Sequence, residues 1–173
     1  MSSSYAVTQL YSEVDMRMMS ATLIAVTVLA GAGLAKADAA AGWKAFHAGD
    51  YAKAIKEFMP RVEQGDAAAQ YWVGIVYYDE RSDLQDYDEA EKWFRKAAEK
   101  GVVDAQRYLG EMYSKGHGLP QDYVLAHMWS NLAGMYGIKL GADNVAEVEK
   151  LMTPDQITKA QKLAQEWIAK QND

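Results

Sequence analysis

The chain has 173 residues, 50% of them hydrophobic and 24% charged, with a net charge of −6. That composition is globular rather than disordered, and the length suits one compact domain. With no cysteine, disulfide staples, thiolate zinc sites and a cysteine nucleophile are excluded, and with both signs of charge interspersed, so is a clustered basic face for nucleic acid.

The first element in chain order is an address. Residues 21–35 read ATLIAVTVLAGAGLA, shorter than the roughly 20 apolar residues that a bilayer span needs. Arg17 precedes this run, and Ala35-Lys36-Ala37 closes it with small residues on either side of the lysine. A basic lead, a short apolar stretch and an A-x-A site predict an export signal over 1–37, cleaved after Ala37. Glu13 and Asp15 make the first fifteen residues an awkward lead, whereas a start at Met16 gives the ordinary layout. The expectation is an exported protein, periplasmic or secreted, with no stable membrane insertion after cleavage.

Residues 38–65 read as a capping hairpin with a tight turn at His47-Ala48-Gly49. Pro60 falls inside its second helix, where it removes one hydrogen bond and bends the helix. Beyond it, sliding the sequence by 36 positions aligns 66–101 with 102–137, with eleven identical pairs and no gap. Among them are Gly74/Gly110, Asp86/Asp122, Ala90/Ala126, Trp93/Trp129 and Gly101/Gly137. The same register runs backwards, matching Asp50, Ala54, Phe58 and Gly65 to Asp86, Ala90, Phe94 and Gly101.

Each copy predicts two helices. Ala69, Trp72, Val73, Val76 and Tyr77 share one helical face, as do Ala90, Trp93, Phe94, Ala97 and Ala98 in the next helix. In the second copy Ala105, Tyr108, Leu109, Met112 and Tyr113 take the first role, and Ala126, Trp129 and Ala133 the second. Asp66, Asp86 and Asp122 are candidate N-caps, and Gly101 and Gly137 are candidate helix stops. Residues 138–173 predict a closing helix pair. Its last helix opens on Thr153, Pro154 and Gln156, a capping box with proline at the first helical position, and buries Ile157, Ala160, Ala164, Trp167 and Ile168.

The two copies, DAAAQYWVGIVYYDERSDLQDYDEAEKWFRKAAEKG and VVDAQRYLGEMYSKGHGLPQDYVLAHMWSNLAGMYG, resemble the Sel1-like repeat family, close relatives of tetratricopeptide repeats. The first keeps the family's A-x-x-x-A-A-x-x-G ending almost intact, and the second keeps its glycine loop as Gly116, Gly118, Leu119 and Asp122. At that loop the first copy offers Glu80, Ser82 and Asp83 instead, so a looser turn is expected there. Residues 40–65 resemble a shorter tetratricopeptide-type hairpin, with Gly42 in the place of Gly74. The resemblance implies an all-α superhelix, a solenoid of stacked hairpins, whose function is to hold a partner.

By analogy with tetratricopeptide geometry, the first helix of each pair lines a concave wall. The residues offset from the packing stripe there are Tyr71, Ile75 and Tyr78 in one copy and Arg107, Glu111 and Ser114 in the next, with Trp43 and His47 extending the wall. The expected occupant is a partner peptide or helix, with aromatic anchors and Arg107 as a polar guide to a carboxylate. A receptor for cell-wall glycan or a small ligand, using Trp43 and the tyrosines, is the alternative.

An enzyme is not expected. The chain has no G-x-S-x-G elbow, no H-E-x-x-H and no phosphate-cradling glycine loop. Cysteine-rich Sel1 relatives act on β-lactams, but every cysteine of that pattern is missing. No metal and no cofactor are implied: His47, His117 and His127 each stand alone, with His117 in a solvated turn.

Overall fold

A computed structural model describes residues 40–171, and the predicted signal segment lies outside the described residues. All regular structure among those residues is helical: α1 (40–47), α2 (Tyr51–Glu63), α3 (Ala67–Tyr78), α4 (Tyr87–Glu99), α5 (Val103–Lys115), α6 (Tyr123–Met135), α7 (Lys139–Glu149) and α8 (Pro154–Gln171). None of them is long and apolar enough to cross a membrane.

The helix boundaries follow from backbone chemistry that repeats in register. Asp50, Asp86 and Asp122, spaced 36 apart, each accept a hydrogen bond from a first-turn amide: Lys53, Glu89 and Leu125, at 3.1, 3.1 and 3.0 Å. These carboxylates satisfy amides that a helix start leaves without partners. Asp66 does the same for α3, donated to by Ala68 and Ala69, whereas its counterpart Val102 leaves α5 without a side-chain cap. At the other ends, Gly65, Gly101 and Gly137 take φ of 79°, 84° and 86°, a left-handed conformation that glycine adopts without a Cβ clash.

Hairpin closure depends on a glycine facing a ring. A Cβ added at Gly42 would meet Phe58 at 2.6 Å, and one at Gly74 would meet Phe94 at 2.7 Å. The missing side chain on α1 or α3 is therefore the space that the aromatic ring of α2 or α4 fills. Phe58 and Phe94 are fully buried, as are Ala54, Ala90 and Ala126 along the same register. Two apolar clusters result, one over α1–α3 and one over α3–α8, joined through Phe46, Trp72 and Tyr77.

In the third register position the ring is replaced by Ser130, opposite Gly110. The small side chain lets α7 approach: Ser130 Oγ accepts from Asn144 Nδ2 at 2.6 Å, and a Cβ on Gly141 would stand 2.8 Å from the Ser130 carbonyl oxygen. Helices α7 and α8 both pack on α6 rather than mainly on each other, so the closing pair straddles the last repeat instead of forming another hairpin. Trp167 of α8 meets Trp129 edge-on at 6.1 Å. The capping box of α8 is formed, with Thr153 N–H donating to Gln156 Oε1 at 2.8 Å and Gln156 N–H donating to Thr153 Oγ1 at 3.3 Å. Thr153→Ala should therefore cost about 1 kcal/mol, read as a lower urea midpoint with an unchanged slope.

The loop of the first copy differs from its expected looseness. Asp86 N–H donates to Tyr77 O at 2.9 Å, the counterpart of Asp122 N–H donating to Tyr113 O at 3.1 Å. Ser82 is buried and accepts from Leu84 N–H, and Arg81 binds Asp79. Local side-chain turns thus replace the glycines of the second copy.

Candidate functional site

The C-terminal half of α3, the facing side of α5 and the loops after both helices enclose a cleft of about 400 Å³. Ile75, Tyr78 and Tyr108 form its apolar surface, and Asp79, Glu80, Arg81, Glu111, Lys115 and His117 its polar edge. Behind it the rings are packed in layers. Phe94 stacks on Tyr108 at 4.8 Å and 6°, while Tyr78 meets Tyr108 at 5.1 Å and Phe94 at 5.9 Å. Rings held this way present a preformed surface, so a bound segment loses less by ordering them.

Of the residues read from the sequence, Ile75, Tyr78 and Glu111 come together in this cleft. Ile75 is only 8% exposed and forms its floor. Tyr71 lies half-buried between Trp72, Phe94 and Tyr108. Ser114 turns back to donate to Glu111 O at 2.8 Å, and its own carbonyl accepts from Gln121; it braces the helix end and does not line the cleft. Trp43 and His47 stack on each other at 5.1 Å on α1, outside the lining. A continuous run of rings connects them to it, from Trp43 through Trp72 and Tyr71 to Tyr108, at 3.9, 4.9 and 6.1 Å.

Arg107 is already engaged. Its guanidinium lies 3.7 Å from the Tyr108 ring centre and donates to Glu111 at 3.2 Å. The free carboxylate guide expected of it is therefore occupied from within. Glu111 also accepts from Lys115 Nζ at 2.6 Å and hydrogen-bonds the Tyr78 hydroxyl. Burial would raise the Glu111 carboxyl, but Lys115, Arg107 and Tyr78 together hold it below its ordinary value. Burial and the nearby Glu111 push the Tyr78 phenol well up, so it stays a neutral donor at any physiological pH.

The sign of the pH dependence follows. A carboxyl depressed in the folded state contributes stability above its unfolded value of 4.5, and that contribution is lost as pH falls through the folded value. Asp66 and Asp79 are depressed as well: burial acts against the first, whose Ala69 amide and Arg61 bonds prevail, and the Arg81 bond leads for the second. Stability should hold from neutrality to about pH 5 and fall below about pH 4. Glu111→Gln should flatten that acid limb in a urea-midpoint series against pH.

Three contributors went unread in the sequence. Tyr108 stands in register with Trp72 and His117 with Arg81, so the 36-residue frame carried a signal for both. His117 was expected in solvent, but it stacks on Tyr87 at 4.5 Å and 17°. Lys115 is the third, half exposed beside Glu111. His127, fully buried on α6, meets Glu149 at 2.9 Å. No group of three histidine or carboxylate side chains among the described residues is placed to hold a metal ion.

A family model of the Sel1 repeat matches residues 67–102 and 103–135, within two residues of the frame given by the internal match. The chain is a Sel1-repeat protein. It is similar to c5321, a protective antigen of uropathogenic Escherichia coli strains that displays an SLR fold, with a TM-score of 0.72 and 33% identity. The match covers 78% of this chain and 30% of that one. It is also similar to a Sel1 repeat protein from Oxalobacter formigenes, with a TM-score of 0.59, 25% identity, and coverage of 75% of this chain and 55% of that one. This Sel1-repeat protein thus spans less than two thirds of both relatives. No curated protein sequence matches it. Sel1 repeats generally build protein-interaction scaffolds.

Proposed function

We propose that this Sel1-repeat protein is a non-catalytic adaptor or regulator that holds a segment of a partner protein in the cleft between α3 and α5. The observation that carries the reading is the packed tyrosine surface of Tyr78 and Tyr108, half-exposed at a preformed concavity and backed by buried Phe94. Large rigid aromatic rings beside a polar edge are the composition of interface anchors. The ionisable groups there are engaged with one another, Arg81 with Asp79 and Lys115 with Glu111, which suits a binding surface better than proton transfer. A net charge of −6 leaves nucleic acid an unsuitable partner.

Export belongs to the same proposal and rests on the apolar stretch 21–35 and the Ala35-Lys36-Ala37 site. Fractionation with N-terminal sequencing tests it, and a retained apolar segment contradicts it. For the cleft, Tyr78→Ala with Tyr108→Ala should reduce recovery of specific partners at least tenfold in a pull-down. Equal recovery by a folded double variant contradicts the site.

A further inference from the structure

The polar groups of the cleft are unevenly matched. Asp79 already accepts from the Arg81 amide, Nε and Nη2 at 2.9, 2.9 and 2.6 Å. Glu111 accepts from Arg107 and Lys115 and hydrogen-bonds Tyr78. Among the carboxylates that line the cleft, only Glu80, at its exposed rim, has no such bond among the described residues. Donors remain: a guanidinium has five N–H groups and Arg81 uses two side-chain ones on Asp79, an ammonium has three and Lys115 uses one, and the Tyr108 hydroxyl adds another.

Such a surface needs an occupant rich in acceptors and poor in donors. An anionic group is not favoured, because the lining holds three carboxylates, Asp79, Glu80 and Glu111, against two cations, Arg81 and Lys115. A sugar brings a donor with every hydroxyl. An ordinary extended peptide brings one N–H for each carbonyl, and each N–H buried without an acceptor costs about 1–3 kcal/mol. Proline removes that donor and keeps the carbonyl. A polyproline II segment also leaves its carbonyls outside any internal hydrogen bond, and its rings pack on aromatic side chains.

We infer that the α3–α5 cleft takes a proline-rich polyproline II segment of the partner, its rings on Tyr78 and Tyr108 and its carbonyls toward Arg81 and Lys115. The inference rests on the binding role proposed above. A segment in this conformation is ordered before it docks, which suits a short cleft that offers few contacts.

Selection against the purified full chain uses two peptide libraries, one with proline at every third position and the other with alanine there. The expected result is that proline peptides bind at least tenfold more tightly than their alanine counterparts, and that Tyr108→Ala and Lys115→Gln each weaken them with unchanged circular dichroism. Replacing the best prolines by N-methylalanine, which also lacks the N–H, should retain much of the affinity. Equal binding of the alanine peptides, or no proline peptide sensitive to either variant, overturns the inference. A natural partner segment mapped to the cleft but free of proline overturns it too, and leaves the adaptor reading standing.

Discussion

Phe94→Ala should lower stability by about 3–5 kcal/mol, the range for deleting a fully buried ring whose cavity cannot collapse. The ring fills the space left by Gly74 and backs Tyr71, Tyr78 and Tyr108 at 6.0, 5.9 and 4.8 Å. Against a total stability on the order of 5–15 kcal/mol, this loss shifts the thermal midpoint down by about 10–20 °C. Phe58→Ala, at the equivalent position of the capping hairpin, should cost a similar amount. The two should differ in a second readout: only Phe94→Ala removes the support of the cleft, so only it should weaken partner binding well below its own midpoint. A Phe94→Ala protein within about 1 kcal/mol of wild type contradicts the glycine-and-ring seam.

Gly118→Ala should cost about 2–4 kcal/mol although the residue is exposed. Two effects add. Its φ is 69°, where a Cβ is strained by about 1–2 kcal/mol. The new Cβ would also stand 2.6 Å from the Tyr87 carbonyl carbon and 2.7 Å from its oxygen, and backbone at the start of α4 cannot rotate away. Gly137→Ala separates the two effects, because its φ is 86° and nothing lies within 4 Å of its Cβ position. That variant should show the strain alone, about 1–2 kcal/mol. Denaturant midpoints for the two variants measure the difference, which reports how closely the loop of one repeat seats on the next. Equal losses would mean that the loop has room to move.

Backbone chemistry is what the sequence displayed most openly. The aspartate caps and the glycine stops each satisfy a local requirement set within a few residues, so their positions could be read without knowing the fold. Gly42 and Gly74 were legible as partners of rings because the register places Phe58 and Phe94 together. The closing helices were harder. Ser130 breaks the ring pattern, and nothing local says that a later Gly141 will come to rest on it. The cleft was half legible for a related reason. An offset of one face from the packing stripe finds residues such as Tyr78 and Glu111 but cannot say which are covered by the adjoining copy. Ile75 was offered as wall and became floor. Arg107 was offered as a free cation, but Tyr108 and Glu111 stand on its own helix within reach and engage it. His117 lay in a glycine turn that seemed bound for solvent, and only the seating of that turn against α4 places its ring on Tyr87.

The most direct test is site-specific photo-crosslinking in intact cells. A photoreactive amino acid replaces Lys115 at the cleft or, as a control, Lys92 on the exposed face of α4. Adduct at Lys115 to a defined protein, absent at Lys92 and lost in the Tyr78→Ala, Tyr108→Ala background, is the predicted result. The same adducts from both positions, or adducts untouched by removal of the two tyrosines, contradict a binding role for the cleft.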